Sequence, residues 1–447
     1  MNKRTFLKTS SLLLTGSMLT DLTSCTKAEP RTNWAGNLTY STDNLYTPKT
    51  VDELQEVIKK CKKVRGLGTK HCFNTIADST DNQISTAAFN KIIALDKDTQ
   101  TVTVEAGIKY GELCKYLDDN GFALHNLASL PHISVAGACA TSTHGSGINN
   151  GSLATAVVAM EFVNGKGEVV NLSREKDGDE FLATVVGLGT LGIVTKMTLK
   201  VQPTFRMKQV VYQNMQMSAL EKDFEAIMSS GYSVSLFTDW TNKNISEVWI
   251  KSKSEAMTAI APTFYGATLA TKNLHPIEAL DAINCTEQMG VEGPWYDRMP
   301  HFKMGFTPSS GKELQSEFFI DFQYAYQGMM AIEKLHEQVS PHLMITEIRA
   351  IAADDLWMSP FYKKTCVAFH FTWKQEVEEI NALLPLIEET LAPFNPRPHW
   401  GKIFTLQPSV LQSRIEKLND FKAFMVKHDP DGKLRNEFID TNLFATT

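Results

Sequence analysis

The chain has 447 residues, 43% of them hydrophobic and 21% charged, the composition of an ordinary globular protein and not of a disordered one. That length exceeds one simple core and points to two or three domains. With 44 basic and 50 acidic residues the formal charge is −6, and no Lys/Arg run stands out beyond the N-terminus, which argues against nucleic acid as the main partner and favours a small neutral substrate.

Lys3, Arg4 and Lys8 precede a short apolar run, Ser11–Leu19. The run is too short for a permanent membrane span and reads as the core of an export signal. It ends at Leu22-Thr23-Ser24-Cys25, which looks like a bacterial lipobox, with Cys25 the lipidated first residue of the mature protein. A plain secretory peptide with a coincidental cysteine is the alternative. Lys3-Arg4-Thr5-Phe6-Leu7-Lys8 also resembles a twin-arginine signal with lysine in the first basic place, a route that exports folded proteins; the departure from the strict pair leaves the route open. The expectation for residues 1–25 is a signal peptide. The mature protein is then periplasmic or membrane-anchored, touching the membrane only through the lipid on Cys25. Residues 26–40 are polar and read as a tether. Cys61, Cys72, Cys114, Cys139, Cys285 and Cys366 show no Cys-x-x-Cys pair and no metal-ligand rhythm, so no metal is expected. Export permits a disulfide, but several of these cysteines fall in apolar patterns, where buried thiols are commoner.

Thr50 and Glu53 form a capping box, followed by an apolar helical face of Val51, Leu54, Val57, Ile58 and Cys61. A hairpin is expected from residues 91–96 and 101–107, the second strand alternating cleanly. Tyr110 to Leu117 reads as a helix that Gly121 ends. Short strands, helices and glycine turns thus alternate through residue 205, as in an α+β domain. Residues 206–400 change character, with most of the tryptophan, a strand at Ser316–Ile320, and a helical pattern from Glu376 to Leu391 that Pro385 is expected to kink or break. The chain therefore divides at about 205, into 41–205 and 206–400, with 401–447 returning to the first domain.

Three stretches carry the chemistry. Arg65-Gly66-Leu67-Gly68-Thr69-Lys70-His71-Cys72-Phe73-Asn74 is a tight turn able to present N–H groups to an anion. His71 lies within reach of whatever it holds, although a histidine after such a turn is more often an ordinary loop residue. Gly187-Leu188-Gly189-Thr190-Leu191-Gly192 matches the dinucleotide fingerprint, but the residues after it are β-branched and alternating, and no acidic residue lies near position 210. The Rossmann reading fails, leaving a tight turn. Ala128 to Gly147 is rich in small and hydroxyl side chains; such a stretch makes a poor core but lets a flat ligand lie against backbone.

Jointly these segments resemble the FAD-binding domain of vanillyl-alcohol oxidase-type flavoproteins, closest to the alditol oxidases and their sugar-lactone oxidase relatives, over about residue 40 to the C-terminus. The resemblance implies an α+β, two-domain fold with an α+β substrate domain. It implies that Gly66, Leu67, Gly68, Thr69, Lys70, His71 and Cys72 wrap the FAD pyrophosphate, with His71 joined to the flavin. Ser129, Ser134, Gly137, Ala138, Cys139, Ala140, His144, Ile193 and Val194 line the rest of the cofactor. Cys72 stands where relatives often have serine. A second covalent link would need a cysteine near Ser129, and none is there, so a single bond is expected.

In the substrate domain, Glu347 and Arg349 alternate on one face of a strand, as do His370 and Thr372, and Lys402 follows in an aromatic setting. Each pair alone is more often a salt-bridged surface strand; several among aromatics suggest a polar cavity. By the resemblance these residues hold a polyol. Arg349 and Lys402 stabilise the developing alkoxide, His370 acts as acid, base or orienting group, and Ser129, Glu347 and Thr372 bond the other hydroxyls. Ala128 leaves oxygen a path. The implied reaction is alcohol oxidation with oxygen as acceptor; the alternatives are a polyol or lactone dehydrogenase passing electrons to a quinone or cytochrome at the membrane, and a binding lipoprotein without turnover.

Overall fold

The capping pair at Thr50 and Glu53 starts the first helix as its spacing requires. In the computed structural model, which describes residues 30–305 and 312–445, Thr50 Oγ1 accepts from Glu53 N at 3.2 Å and the Glu53 carboxylate accepts from Lys49 N at 2.7 Å. The helix Val51–Lys60 buries Leu54, Val57 and Ile58. The expected hairpin follows as Ile92–Asp96 and Thr101–Glu105. These two strands continue into Gly192–Lys200, Val157–Asn164 and Val169–Ser173, in that order, to make a five-stranded antiparallel sheet. The run after Gly192 is a strand, so its glycines cannot open a helix on a dinucleotide. Leu188 and Gly189, at φ +52° and +68°, reverse the chain ahead of it.

From Arg206 onward the chain builds a ten-stranded sheet. Its central strands are Arg206–Gln216, Asn244–Lys253, Ser233–Thr238, Leu343–Ile351, Cys366–Trp373 and Leu314–Asp321, each antiparallel to its neighbour. Alternation gives the sheet two different faces. Leu236, Ile348, Phe369, Phe371 and Phe318 lie on one, in a core shared with the helices Leu220–Met228, Ala325–Glu333 and Val377–Leu391. The other face carries Glu317, Glu347, Arg349, His370 and Thr372 among apolar residues such as Phe237, Trp249 and Phe319. A second core joins the five-stranded sheet to Leu411, Leu418, Phe421, Met425 and Leu443 from the last helices.

Several expectations are corrected. Residues 31–40 are packed and are no tether: Asn33 and Ala35 are buried, and Trp34 N donates to Lys70 O at 2.8 Å. The small-residue stretch contributes to a core after all, because its helix Val135–Ala140 buries Val135, Ala136, Ala138 and Cys139. Pro385 neither breaks nor ends its 15-residue helix. It sits on the exposed face, while Ile380, Leu384, Ile387 and Leu391 are buried, and that burial outweighs one missing hydrogen bond. The six cysteines are free thiols, five buried and Cys72 half-buried. The export signal and lipobox lie outside the described residues, among which no helix is long and apolar enough to cross a membrane.

Candidate active site

Arg65 fixes the glycine turn. Its buried guanidinium donates to the carbonyls of Ile76, Leu188, Gly189 and Leu434, joining the 65–74 turn to the 187–192 turn and to the C-terminal segment. The glycines of the first turn answer to close approach: a Cβ on Gly68 would lie 2.7 Å from Ser134 Oγ, and one on Gly137 2.8 Å from the same atom. Lys70 adopts φ +64°, a left-handed conformation that costs a non-glycine residue on the order of 1 kcal/mol. His71 follows, its ring stacked on Trp34 at 5.1 Å and 22° and tilted against His132 at 5.2 Å. Phe73 N donates to Gly401 O at 2.8 Å and Asn74 Nδ2 to Lys402 O at 2.7 Å, so the turn carries Lys402 with it.

Opposite the turn lies the face of the large sheet that carries these charged residues. Register places Glu347, His370 and Glu317 side by side on three neighbouring strands, with Thr372 opposite Gln315. Glu317 is the hub. Arg349 Nη2 donates to its Oε1 at 2.7 Å, His144 Nε2 lies 3.2 Å from the same oxygen, and His370 Nδ1 lies 3.1 Å from Oε2. Burial alone would raise this carboxyl, but Arg349, then His144 and His370, hold it well below the usual carboxylate range. Glu347 is treated likewise: burial is overcome by Arg349 and His301, whose Nε2 is 2.7 Å from Glu347 Oε1. The two carboxylates in turn raise Arg349 against its burial.

Lys402 is different. Its ammonium sits over the Phe73 ring at 5.0 Å and donates to the Gln315 side chain, and among the described residues no carboxylate forms an ion pair with it. Burial pulls it down to about 8, only partly countered by Glu317. Burial lowers His71 to about 3, with His132 and Lys402 adding to the effect. His370 is lowered by burial against the pull of Glu317.

One cavity is lined by Gly66 to Phe73, Ala128, Ser129, Gly137, Ala138, Ala140 and His144, and also by Glu347, Arg349, His370, Thr372 and Lys402. Ser134, Cys139, Ile193 and Val194, expected at the cofactor, stand behind that wall. Ser134 Oγ backs Gly68 and Gly137, and Ile193 backs Gly66. Cys139 is in the core beside Tyr110 OH, at 3.5 Å, and Val194 packs against that core. His144, expected at the cofactor, does line the cavity but pairs with Glu317. Glu317, His301, Gln315 and Trp34, which also line the cavity, were not legible as site residues. Glu317 sits in a strand recognisable from its alternation, but which residues it opposes is set by register, which the sequence does not display.

A flavin fits the residues present. Both ring nitrogens of His71 and of His132 are shielded from solvent and have no hydrogen-bond partner, and His71 lines the cavity beside Gly66, Gly68 and Gly137. Such orphaned polar atoms in a cradle suit a polar ligand.

The comparisons with known proteins agree. The family model for an FAD binding domain matches residues 42–173, and that for D-arabinono-1,4-lactone oxidase matches 308–442. Fold and site define an FAD-dependent oxidoreductase. The chain is 40% identical to the alditol oxidase of Streptomyces sp. (strain IKD472 / FERM P-14339), over 91% of this chain and 97% of that one. It is 25% identical to the L-gulonolactone oxidase of Mus musculus and to the L-gulono-1,4-lactone dehydrogenase of Mycobacterium tuberculosis, in each case over 91% of this chain and 97% of the relative. The chain belongs to the alditol oxidase family of flavoproteins, related to the sugar-lactone oxidases. A solved cholesterol oxidase from B. sterolicum shares the fold, with a TM-score of 0.74 at 15% identity, covering 93% of this chain and 96% of that one.

Proposed function

We propose that the protein oxidises the terminal alcohol of an alditol of the xylitol or sorbitol kind to the aldose, using FAD bound covalently to His71 and oxygen as acceptor, with hydrogen peroxide as the second product. The observation that carries this reading is the single cavity in which a glycine-built cradle faces Glu347, Arg349, His370, Thr372 and Lys402. The 40% identical alditol oxidase supports the choice of substrate. FAD, when bound, supplies a hydride acceptor for the alcohol carbon and a route for the electrons to oxygen.

The residues divide the remaining work. An alcohol gives up hydride readily only as its hydroxyl proton leaves. Lys402, which among the described residues forms no ion pair with a carboxylate, stabilises the developing alkoxide. Arg349 is shared between Glu317 and Glu347, so its part is to hold those carboxylates and bond a neighbouring hydroxyl. His370, fixed by Glu317 on one side and 3.3 Å from Thr372 Oγ1 on the other, orients or accepts the proton. Ser129, Glu347 and Thr372 bond the remaining hydroxyls and fix the reacting carbon. His71, kept neutral by burial, has a lone pair free to bond the flavin. Ala128, beside Ser129, leaves oxygen its path; unchanged oxygen reactivity in Ala128→Leu would remove that element.

Acid precipitation followed by peptide mapping tests the cofactor: yellow colour is expected on the peptide 65–74, and free FAD in the supernatant would undo the covalent bond. Xylitol turnover with matching peroxide release tests the reaction. Slow reoxidation by air would leave a dehydrogenase that serves a quinone or cytochrome. Export and a lipid on Cys25 complete the proposal, tested by comparing palmitate labelling of the wild type and Cys25→Ala.

A further inference from the structure

Lys251 lies behind the cavity wall on the strand Asn244–Lys253 and is 1% exposed. A buried ammonium persists only when its N–H groups are taken up. All three are: Nζ donates to Met299 O at 2.5 Å, to Pro300 O at 3.1 Å and to His301 Nδ1 at 2.9 Å. Because Nδ1 accepts, the imidazole carries its hydrogen on Nε2, which donates to Glu347 Oε1 at 2.7 Å. The bonds therefore run one way, from ammonium through imidazole to carboxylate. The His301 ring is held edge-on by Trp249 and Phe237, at 5.0 and 5.6 Å, which opposes its turning over. With Oε1 engaged by His301, Glu347 keeps Oε2, 3.6 Å from Arg349 Nε.

We infer that Lys251 is a positioning residue for polyol recognition: acting through His301, it holds Glu347 oriented so that Oε2 receives a substrate hydroxyl. The inference rests on the polyol reading above. An apolar side chain would fill the same space at lower desolvation cost but would leave the Met299 and Pro300 carbonyls and His301 Nδ1 without this donor. The groups facing its ammonium are Glu347 and Arg349 on a nearby strand and Cys285 and His301 from the loops.

The test uses holoenzyme at about pH 6, where Lys251, drawn down to about 7 by burial, carries its proton. In Lys251→Met, KM for xylitol is expected to rise roughly tenfold with kcat within about threefold and flavin content unchanged. In a Glu347→Gln background the same substitution should leave KM unchanged. An unaltered KM, or an equal KM rise in both backgrounds, overturns the inference. Should Lys251→Met fail to fold, Lys251→Gln, which keeps donors for the two carbonyls, is read through the same cycle and decides in the same way. Wild-type enzyme inert on xylitol would overturn the polyol reading and this inference with it; active wild type with an unaffected variant would overturn this inference alone.

Discussion

Arg349 and Glu317 meet at 2.7 Å with both side chains buried, and the same carboxylate also contacts His144 and His370. One acidic residue thus orients three groups at the cavity. Removing one partner of a buried charge cluster leaves the others uncompensated, at a cost of about 3 kcal/mol. Glu317→Gln keeps the shape and loses the charge. Its kcat/KM for a polyol is expected to fall roughly 100-fold, with a lower melting temperature. Full activity in a destabilised Glu317→Gln protein would mean that the hub serves stability only.

Lys402 gives the reaction a basic limit. Burial has brought its ammonium down to about 8, and the cation is the useful form. As pH rises through that value in the free enzyme the charge is lost, so kcat/KM should decline on the alkaline side. In Lys402→Met the overall rate should drop by about 100-fold or more and the alkaline limb should vanish. A limb that persists in the variant would assign it to another group.

Much of this site was legible, and the boundary of what was not is physical. Glu347 with Arg349 and His370 with Thr372 could be paired because alternation along one strand is local. Glu317 could not be joined to them, since its partners sit at sequence separations of 32 and 53 residues for Arg349 and His370 (349 less 317; 370 less 317), and register across strands is set by tertiary packing. The Gly187–Gly192 turn was correctly refused as a dinucleotide fingerprint from the strand-like residues behind it. Its actual engagement, through Arg65, required knowing that two distant turns meet. Trp34 was assigned to a tether because its neighbours are polar, yet one stacked ring and one backbone bond suffice to bring that segment to the site.

Buried neutral histidines should make the protein sensitive to mild acid. His125, His132, His275, His301, His370, His399 and His428 are all lowered, burial being the leading cause in each. A histidine whose folded value lies below its unfolded value of about 6.5 binds more protons when unfolded, so stability is lost as pH falls below about 6.5 toward the folded value; for His301 that value is about 4. Glu247 and Asp354, raised to about 7 by burial, work in the opposite sense, as do Glu388 and Asp429, but the histidines outnumber them. His71, lowered to about 3 with burial as the leading cause, adds to the same loss. The melting temperature of the holoenzyme is therefore expected to fall steadily between about pH 6.5 and pH 5. A flat profile across that range would contradict the buried, neutral assignment.

Trp34 holds the His71 imidazole nearly parallel to its indole at 5.1 Å and 22°, while Trp34 N anchors the turn through Lys70 O. The stack itself is worth about 1 kcal/mol, enough to set which way a ring with no hydrogen-bonded nitrogen points. Bond formation to a flavin depends on that direction, since a nucleophile must be aligned within a fraction of an ångström. Trp34→Leu should therefore bind FAD while attaching it covalently in a fraction at least roughly threefold smaller, read as the ratio of acid-precipitated to total flavin absorbance. Trp34→Phe, which restores an aromatic face, should recover most of the attachment. Complete attachment in Trp34→Leu would show that the turn alone aims His71.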